Sequence, residues 1–280
     1  VDRNGSAPGR RGPATGTVAA FFDLDKTIIA KSSTLAFSRQ FYEGGLITRR
    51  AMLKSTYAQF VFLAGGAGHD EMDKMRNYMQ HLVAGWDVQT VRDIVAETLH
   101  DLIDPLIYEE AASLIDEHHR AGRDVVIVSS SGEEVVVPIG ELLGADSVVA
   151  TKMVVEDGRY TGDIAFYAYA ENKAKAIRGL AEEMGYDLAA SYAYSDSITD
   201  VPMLETVGHP SVVNPDRALR KEAHARGWEV LEFQKPVSLR TRTSLPTPTG
   251  PVVAGMAVGA SVAAAGWYLY ARHRAGRATG

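Results

Sequence analysis

The sequence contains no cysteine. Disulfides, zinc–thiolate centres and cysteine nucleophiles are thereby excluded, and a reducing, cytoplasmic setting is the natural expectation for the folded part. Positive charge is also scarce. The 29 Lys and Arg against 35 Asp and Glu leave a formal net charge of −6, which disfavours nucleic acid as a partner, because duplex binding needs a dense cationic face. Residues 1–17 hold no apolar stretch and are rich in Gly, Pro and Arg. They read as a loose N-terminal tail, not a signal peptide. From Thr243 to Ala271 charged residues are missing altogether.

That uncharged stretch invites a positive reading. Pro251 to Ala271 is long enough to cross a bilayer as a helix, and Trp267, Tyr268 and Tyr270 precede Arg272, His273 and Arg274, a pairing of aromatics and cations that suits a membrane–water interface. A transmembrane helix is therefore expected at 251–271, after a Pro-containing linker at 234–250 and before a basic tail at 272–280. The alternatives are a buried apolar helix or an unstructured Ala/Gly tail. Gly255 and Gly259 form a GxxxG pair that would permit a homodimer. The expected location is a cytoplasmic folded domain attached to the inner or plasma membrane by this segment. Counting Arg residues on either side favours an inside tail instead.

The rest of the chain alternates strands and helices. Val18 to Leu24 and Asp124 to Val128 are apolar runs that read as buried parallel strands. Helical periodicity fills Ser32 to His119, with stripes at Leu35, Phe37 and Phe41, at Leu53, Tyr57, Phe60 and Val61, at Met72, Met75 and Met79, and at Val88, Val91, Ile94, Val95 and Leu99. Val148–Val155 and Tyr160–Ala165 flank Glu156-Asp157-Gly158, a hairpin signal. Helices are expected at Glu133–Leu143 and Asn172–Met184, and further strands at Tyr192–Tyr194, Ser211–Val213 and Trp228–Phe233. The pattern predicts an α/β fold with a Rossmann-like parallel sheet at 18–31 and 112–233, and a helical cap inserted at 32–111. His118 and His119 are expected to face solvent, and Trp86 to pack a cap helix.

Four groups of residues sit at predicted strand ends, where ligands bind in open α/β sheets. The first is Asp23-Leu24-Asp25-Lys26-Thr27, whose two carboxyl groups could serve as nucleophile and proton donor. The second is Ser129 and Ser130, where a hydroxyl and backbone N–H groups could hold a phosphoryl oxygen. The third is Asp196 with Asp200, carboxylates suited to a hard divalent cation. The fourth is a cation at the start of a helix, Lys173 or Lys175, to neutralise a phosphoryl group. Each alone has a bland counterpart: a loop acid, a helix cap or a surface lysine.

In this order the four groups resemble the haloacid dehalogenase-like hydrolase superfamily, and in particular its phosphoserine-phosphatase-like branch, over roughly Ala19 to Phe233. The resemblance implies a Mg2+-dependent phosphomonoesterase. Asp23 would be the nucleophile and Asp25 the acid/base. Asp23, Asp25 (through its backbone carbonyl) and Asp196 would hold Mg2+. Lys173 would stabilise charge, and Thr27, Ser129, Ser130 and Thr199 would line the phosphate site. Asp200 would orient Lys173 or a metal-bound water. The branch usually carries a glutamate for the substrate's amino group where this chain has Ser32, and no acid lies between Lys26 and Gln40. Its Ser-Gly-Gly is Ser129-Ser130-Ser131 here. The expected substrate is a small phosphorylated molecule such as phosphoserine. The alternatives are a lipid phosphate (a lysophospholipid phosphate or phosphatidylglycerol phosphate), a phosphotransferase, and a catalytically dead tethered module.

Overall fold

A computed structural model describes residues 16–48 and 80–234. Among them a seven-stranded sheet runs in the order β4-β3-β2-β1-β5-β6-β7. In chain order the strands are β1 (Ala19–Phe22), β2 (Asp124–Gly132), β3 (Ser147–Glu156), β4 (Arg159–Phe166), β5 (Tyr192–Ser195), β6 (His209–Val213) and β7 (Glu229–Leu231). All neighbours are parallel except β3 and β4. That hairpin turns through Asp157 and Gly158, both at positive φ (47° and 76°), the backbone that a tight primed turn demands. The helices are α1 (Ser33–Ala36), α2 (Ser38–Glu43), α3 (Val88–Ile103), α4 (Glu109–Arg120), α5 (Glu133–Leu143), α6 (Glu171–Met184), α7 (Val201–Leu204) and α8 (Arg217–Arg226).

The central strands are apolar on both sides because both faces are covered. Ala20 and Phe22 of β1, with Val125 and Ile127 of β2, join a core with Val95 of α3, Ile115 of α4 and Ile139 of α5. The alternate residues Ala19, Phe21, Val126 and Val128 pack with Ile177 of α6, Leu204 of α7 and Leu219 of α8. Helix α3 shows how local sequence meets this need. Val88, Val91, Val95, Leu99 and Ile103 recur at helical spacing and are all buried, while the Asp87 side chain accepts from Thr90 N at 2.8 Å and caps the first turn. Trp86 lies against Phe41, with ring centroids 5.7 Å apart. At Gly208 an added Cβ would fall 1.8 Å from the Ala189 carbonyl oxygen, so that loop closes only around glycine.

Three expectations change, and a further one falls outside the described residues. Strand β2 does not stop at Val128 but continues to Gly132, with its register against β3 shifting between Ser129 and Gly132. Thr17 belongs to the fold and not to the tail: it bridges Tyr186, and Asp187 N–H donates to its carbonyl at 2.9 Å. The expected transmembrane helix at 251–271, with its GxxxG pair and basic tail, lies outside the described residues, as do the Met72–Met79 and Leu53–Val61 stripes. Among the described residues no helix is long and apolar enough to cross a membrane.

The third change concerns His118, which is buried at 1% exposure, whereas His119 is exposed. The Arg123 guanidinium lies 3.1 Å from His118 Nδ1, and Tyr194 Oη lies 3.0 Å from Nε2. Guanidinium is only a donor. Nδ1 therefore accepts and Nε2–H donates to the phenol, which fixes the neutral tautomer. Burial first, then the Arg123 and His119 charges, hold this imidazole down at about 4. An unfolded histidine titrates near 6.5. The contribution to stability is complete above pH 6.5 and is lost as pH falls from there to 4, up to roughly 3 kcal/mol. Urea denaturation at pH 7 and pH 4.5 should show a steeper loss for the parent than for His118→Phe. Equal losses would refute this account.

Candidate active site

The sheet reverses its winding direction at β1, which lies between β2 and β5. The carboxyl ends of these three strands open onto the crevice where such a reversal places ligands. Asp23 follows β1 directly, and its N–H still donates to Tyr194 O at 2.9 Å, so the ladder with β5 carries it into place. The chain then folds back. Lys26 takes a positive φ of 63°, and the N–H groups of Ile28 and Ile29 both point at Leu24 O. Ala30 N–H bonds Leu106 O and Tyr108 N–H bonds Ile28 O, which pins the loop to the entry of α4. Leu24 is buried in the core, leaving Asp23 and Asp25 on the crevice side.

A chain of charges crosses the site. Lys173 Nζ, on the first turn of α6, donates to Asp23 Oδ1 at 2.6 Å and to Asp200 Oδ2 at 2.7 Å. Ser195 Oγ donates to the same Asp200 oxygen at 2.7 Å. Thr27, fully buried, donates to Asp23 Oδ2 at 3.3 Å. Burial alone would strip the Lys173 proton, but the Asp200 and Asp23 carboxylates outweigh it and push its pKa above the usual lysine range. Lys173 is therefore a fixed cation. Lys175 is exposed. Burial raises Asp23 to about 7, with Asp200 and Asp25 adding to the rise and Lys173 opposing it.

Asp25 is held separately. Ser33 N–H donates to Oδ1 at 2.7 Å and Ser131 Oγ donates to Oδ2 at 3.1 Å. Burial still raises this carboxyl above its ordinary value, against those hydrogen bonds. Ser129 is buried and its Oγ accepts from Ser131 N–H at 3.2 Å. Ser130 is exposed, and its carbonyl accepts from Thr151 Oγ1 at 2.8 Å. Thr199 is half-buried beside Ser197 Oγ, 3.0 Å away.

Asp196 follows β5 and is buried, with the Lys26 and Lys173 charges opposing the effect of its burial. Burial first, then the Asp23 charge, raises it to about 8. A buried carboxylate that repels a neighbouring one is where an oxygen-seeking cation fits. Among the described residues no three His, Cys, Asp or Glu side chains form a metal-binding group, so a cation here would take two carboxylates and complete its shell from backbone, water or substrate. A cleft of about 600 Å3 lined by Tyr192, His209, Arg226 and Trp228 lies at the opposite, amino end of β5–β7. It carries none of these groups.

Sequence patterning missed Ser33, Ser131 and Ser195. Ser131 had a readable signal: it lies two residues beyond Ser129 in extended chain and so shares its side. Ser33 had none, because its partner Ser131 lies 98 residues away, whereas Ser195 meets Asp200 only five residues on.

A largely parallel sheet with acids at its strand ends and a buried lysine between two carboxylates fits a haloacid dehalogenase-like hydrolase. Residues 20–205 match that family, and the chain belongs to it, within its phosphoserine-phosphatase-like branch. It is 66% identical over 260 residues to the "Inhibition of morphological differentiation protein" of Streptomyces azureus, covering 91% of this chain and 94% of that one. A "Probable phosphatase" of Mycobacterium tuberculosis is 62% identical over 265 residues, covering 94% and 91%. A second protein of that organism, named a phosphoserine phosphatase, is 33% identical over 227 residues, covering 80% and 74%. The fold matches a solved phospho-aspartyl intermediate analogue of phosphoserine phosphatase at a TM-score of 0.57 and 19% identity, covering 81% and 97%. The chain is a phosphoric monoester hydrolase.

Proposed function

We propose that the protein hydrolyses a small phosphomonoester through a phosphoryl group carried on Asp23, with Mg2+ as cofactor. The observation that carries this reading is Lys173 Nζ seated between Asp23 Oδ1 and Asp200 Oδ2. A nucleophilic carboxylate attacking an anionic ester needs a fixed cation beside it, and Lys173 supplies one in a buried site where it counts for most. Asp23, Asp196 and the Asp25 backbone carbonyl would hold Mg2+, which when bound neutralises phosphoryl charge.

In the first step an Asp23 oxygen bonds to phosphorus as the ester P–O bond breaks. The departing alcohol oxygen takes the proton from Asp25. In the second, Asp25 as carboxylate takes a proton from water, the water oxygen bonds to phosphorus, and the acyl phosphate bond breaks to free Asp23 and inorganic phosphate. The Ser129 hydroxyl hydrogen, directed to no acceptor among the described residues, donates to a phosphoryl oxygen. Residues 32–111 act as the cap that selects the alcohol, over a catalytic core of 18–31 and 112–233.

The relatives' names make phosphoserine the first substrate to try. Ser32 and the absence of acid between Lys26 and Gln40 give its ammonium group no counter-charge in that loop. Phosphate release should be measured from phosphoserine, from an amino-free alkyl phosphate and from p-nitrophenyl phosphate. Chelation is expected to cut all three at least about 100-fold, with recovery on adding Mg2+. The kcat/KM for phosphoserine should lie within about tenfold of its amino-free analogue. Full activity in chelator would remove the metal from the reading. A preference for phosphoserine well beyond that range would place an ammonium site elsewhere in the cap.

A further inference from the structure

We infer that Ser131 is a positioning residue for proton transfer to the leaving alcohol: with Ser33 and Thr34 it forms a hydroxyl relay that fixes the plane of the Asp25 carboxyl. This rests on the phosphatase reading above and adds a part to it.

The hydroxyls form one consistent relay toward Asp25. Ser33 Oγ donates to Ser131 Oγ at 2.9 Å, and Ser131 Oγ donates to Asp25 Oδ2 at 3.1 Å. Thr34 Oγ1 lies 3.2 Å from the same Ser131 oxygen. A serine hydroxyl has one hydrogen and two lone pairs. Since the single hydrogen of Ser131 is committed to Asp25, Thr34 must donate as Ser33 does. Ser131 then uses its full capacity, two bonds accepted and one given, and has no alternative rotamer that keeps them. Ser33 and Ser131 are buried, at 0% and 8% exposure, while Asp25 and Thr34 are half-buried.

The carboxyl gains from two sides. The Ser33 N–H holds Oδ1 at 2.7 Å while the relay holds Oδ2. Two donors on separate oxygens lock rotation about the Cβ–Cγ bond, which in a free aspartate is broad. A locked carboxyl presents its acidic hydrogen along one line, and proton transfer falls off steeply when that line is missed. The extended end of β2 makes this possible. Ser129 and Ser131 turn inward while Ser130 turns out, so one strand end offers Ser129 toward the phosphoryl group and Ser131 toward Asp25.

The test exploits leaving groups. A p-nitrophenolate departs without a proton, whereas an alkoxide needs one. The kcat/KM of each ester reports steps up to departure of the alcohol. Parent, Ser131→Ala and Ser131→Thr enzymes should be assayed on an alkyl phosphate and on p-nitrophenyl phosphate. In Ser131→Ala the alkyl value is expected to fall about 10- to 30-fold and the aryl value less than about threefold. In Ser131→Thr, which keeps the hydroxyl, the alkyl-to-aryl ratio should stay within about threefold of the parent. An active parent whose Ser131→Ala variant loses both esters equally, or neither, overturns this inference alone. A parent inactive on both overturns the phosphatase reading and this inference with it.

Discussion

Asp23→Asn should release no phosphate above background, a fall of at least about 10,000-fold, while its melting temperature holds or rises. The two halves of this result have one cause. Asp23 is 6% exposed and lies near Asp25, Asp196 and Asp200. Burial raises its pKa to about 7, above the unfolded value of about 3.8. The folded state therefore binds this proton more tightly than the unfolded chain, and ionising Asp23 costs stability increasingly as pH rises from 3.8 through 7. An amide of the same shape carries no such cost and still accepts from Lys173. It cannot form an acyl phosphate. Phosphate release near the parent rate would remove Asp23 as the nucleophile. A collapse of the melting temperature alongside lost activity would mean the carboxylate is chiefly structural.

Lys173→Ala is expected to damage both activity and stability. Its ammonium is 3% exposed and touches two carboxylates that are themselves 9% and 3% exposed. Removing one partner of a buried ionic group leaves the others unpaired, at a cost of roughly 3–5 kcal/mol, or about 10 °C in melting temperature for a domain this size. Activity should fall at least about 1,000-fold, since the attack on phosphorus loses its fixed cation. Lys173→Arg should not rescue it. A planar guanidinium fork does not fit a site built around one nitrogen at 2.6 and 2.7 Å from two carboxylates. Pairing Lys173→Met with Asp200→Asn should restore part of the stability and none of the activity, because it removes one uncompensated charge and leaves the chemistry without its cation. Melting curves and phosphate release on the four proteins decide the matter. A thermally unaffected Lys173→Ala protein would show that the carboxylates hydrate or protonate at no cost, and that the pair holds nothing together.

These two residues also show how far the sequence could be read. Asp23 was legible because β1 announces itself as an apolar run that stops at an acid, and strand ends are where such folds bind ligands. Lys173 was harder to separate from Lys175 without the resemblance to the family, for both lie on one helical turn. The fold chooses between them: α6 packs with its Ala174 and Ile177 against the sheet, which turns Lys173 inward and leaves Lys175 in solvent.

The order of elements, the doubly covered sheet and the acids at its strand ends were set by local patterns alone. A period of two, a period near 3.6 and the turn chemistry of Asp157-Gly158 are properties of neighbouring residues, and neighbouring residues are what a sequence shows. What tertiary structure decided is which polar side chains meet. Ser33 and Ser131 are 98 residues apart, Lys173 and Asp23 are 150 apart, and His118 and Tyr194 are 76 apart. Whether a serine cradles a carboxyl or a histidine stays neutral depends on partners that arrive only when the strands pair. Hydrophobic periodicity determines which face is buried, but only packing in three dimensions determines what each buried polar atom finds there.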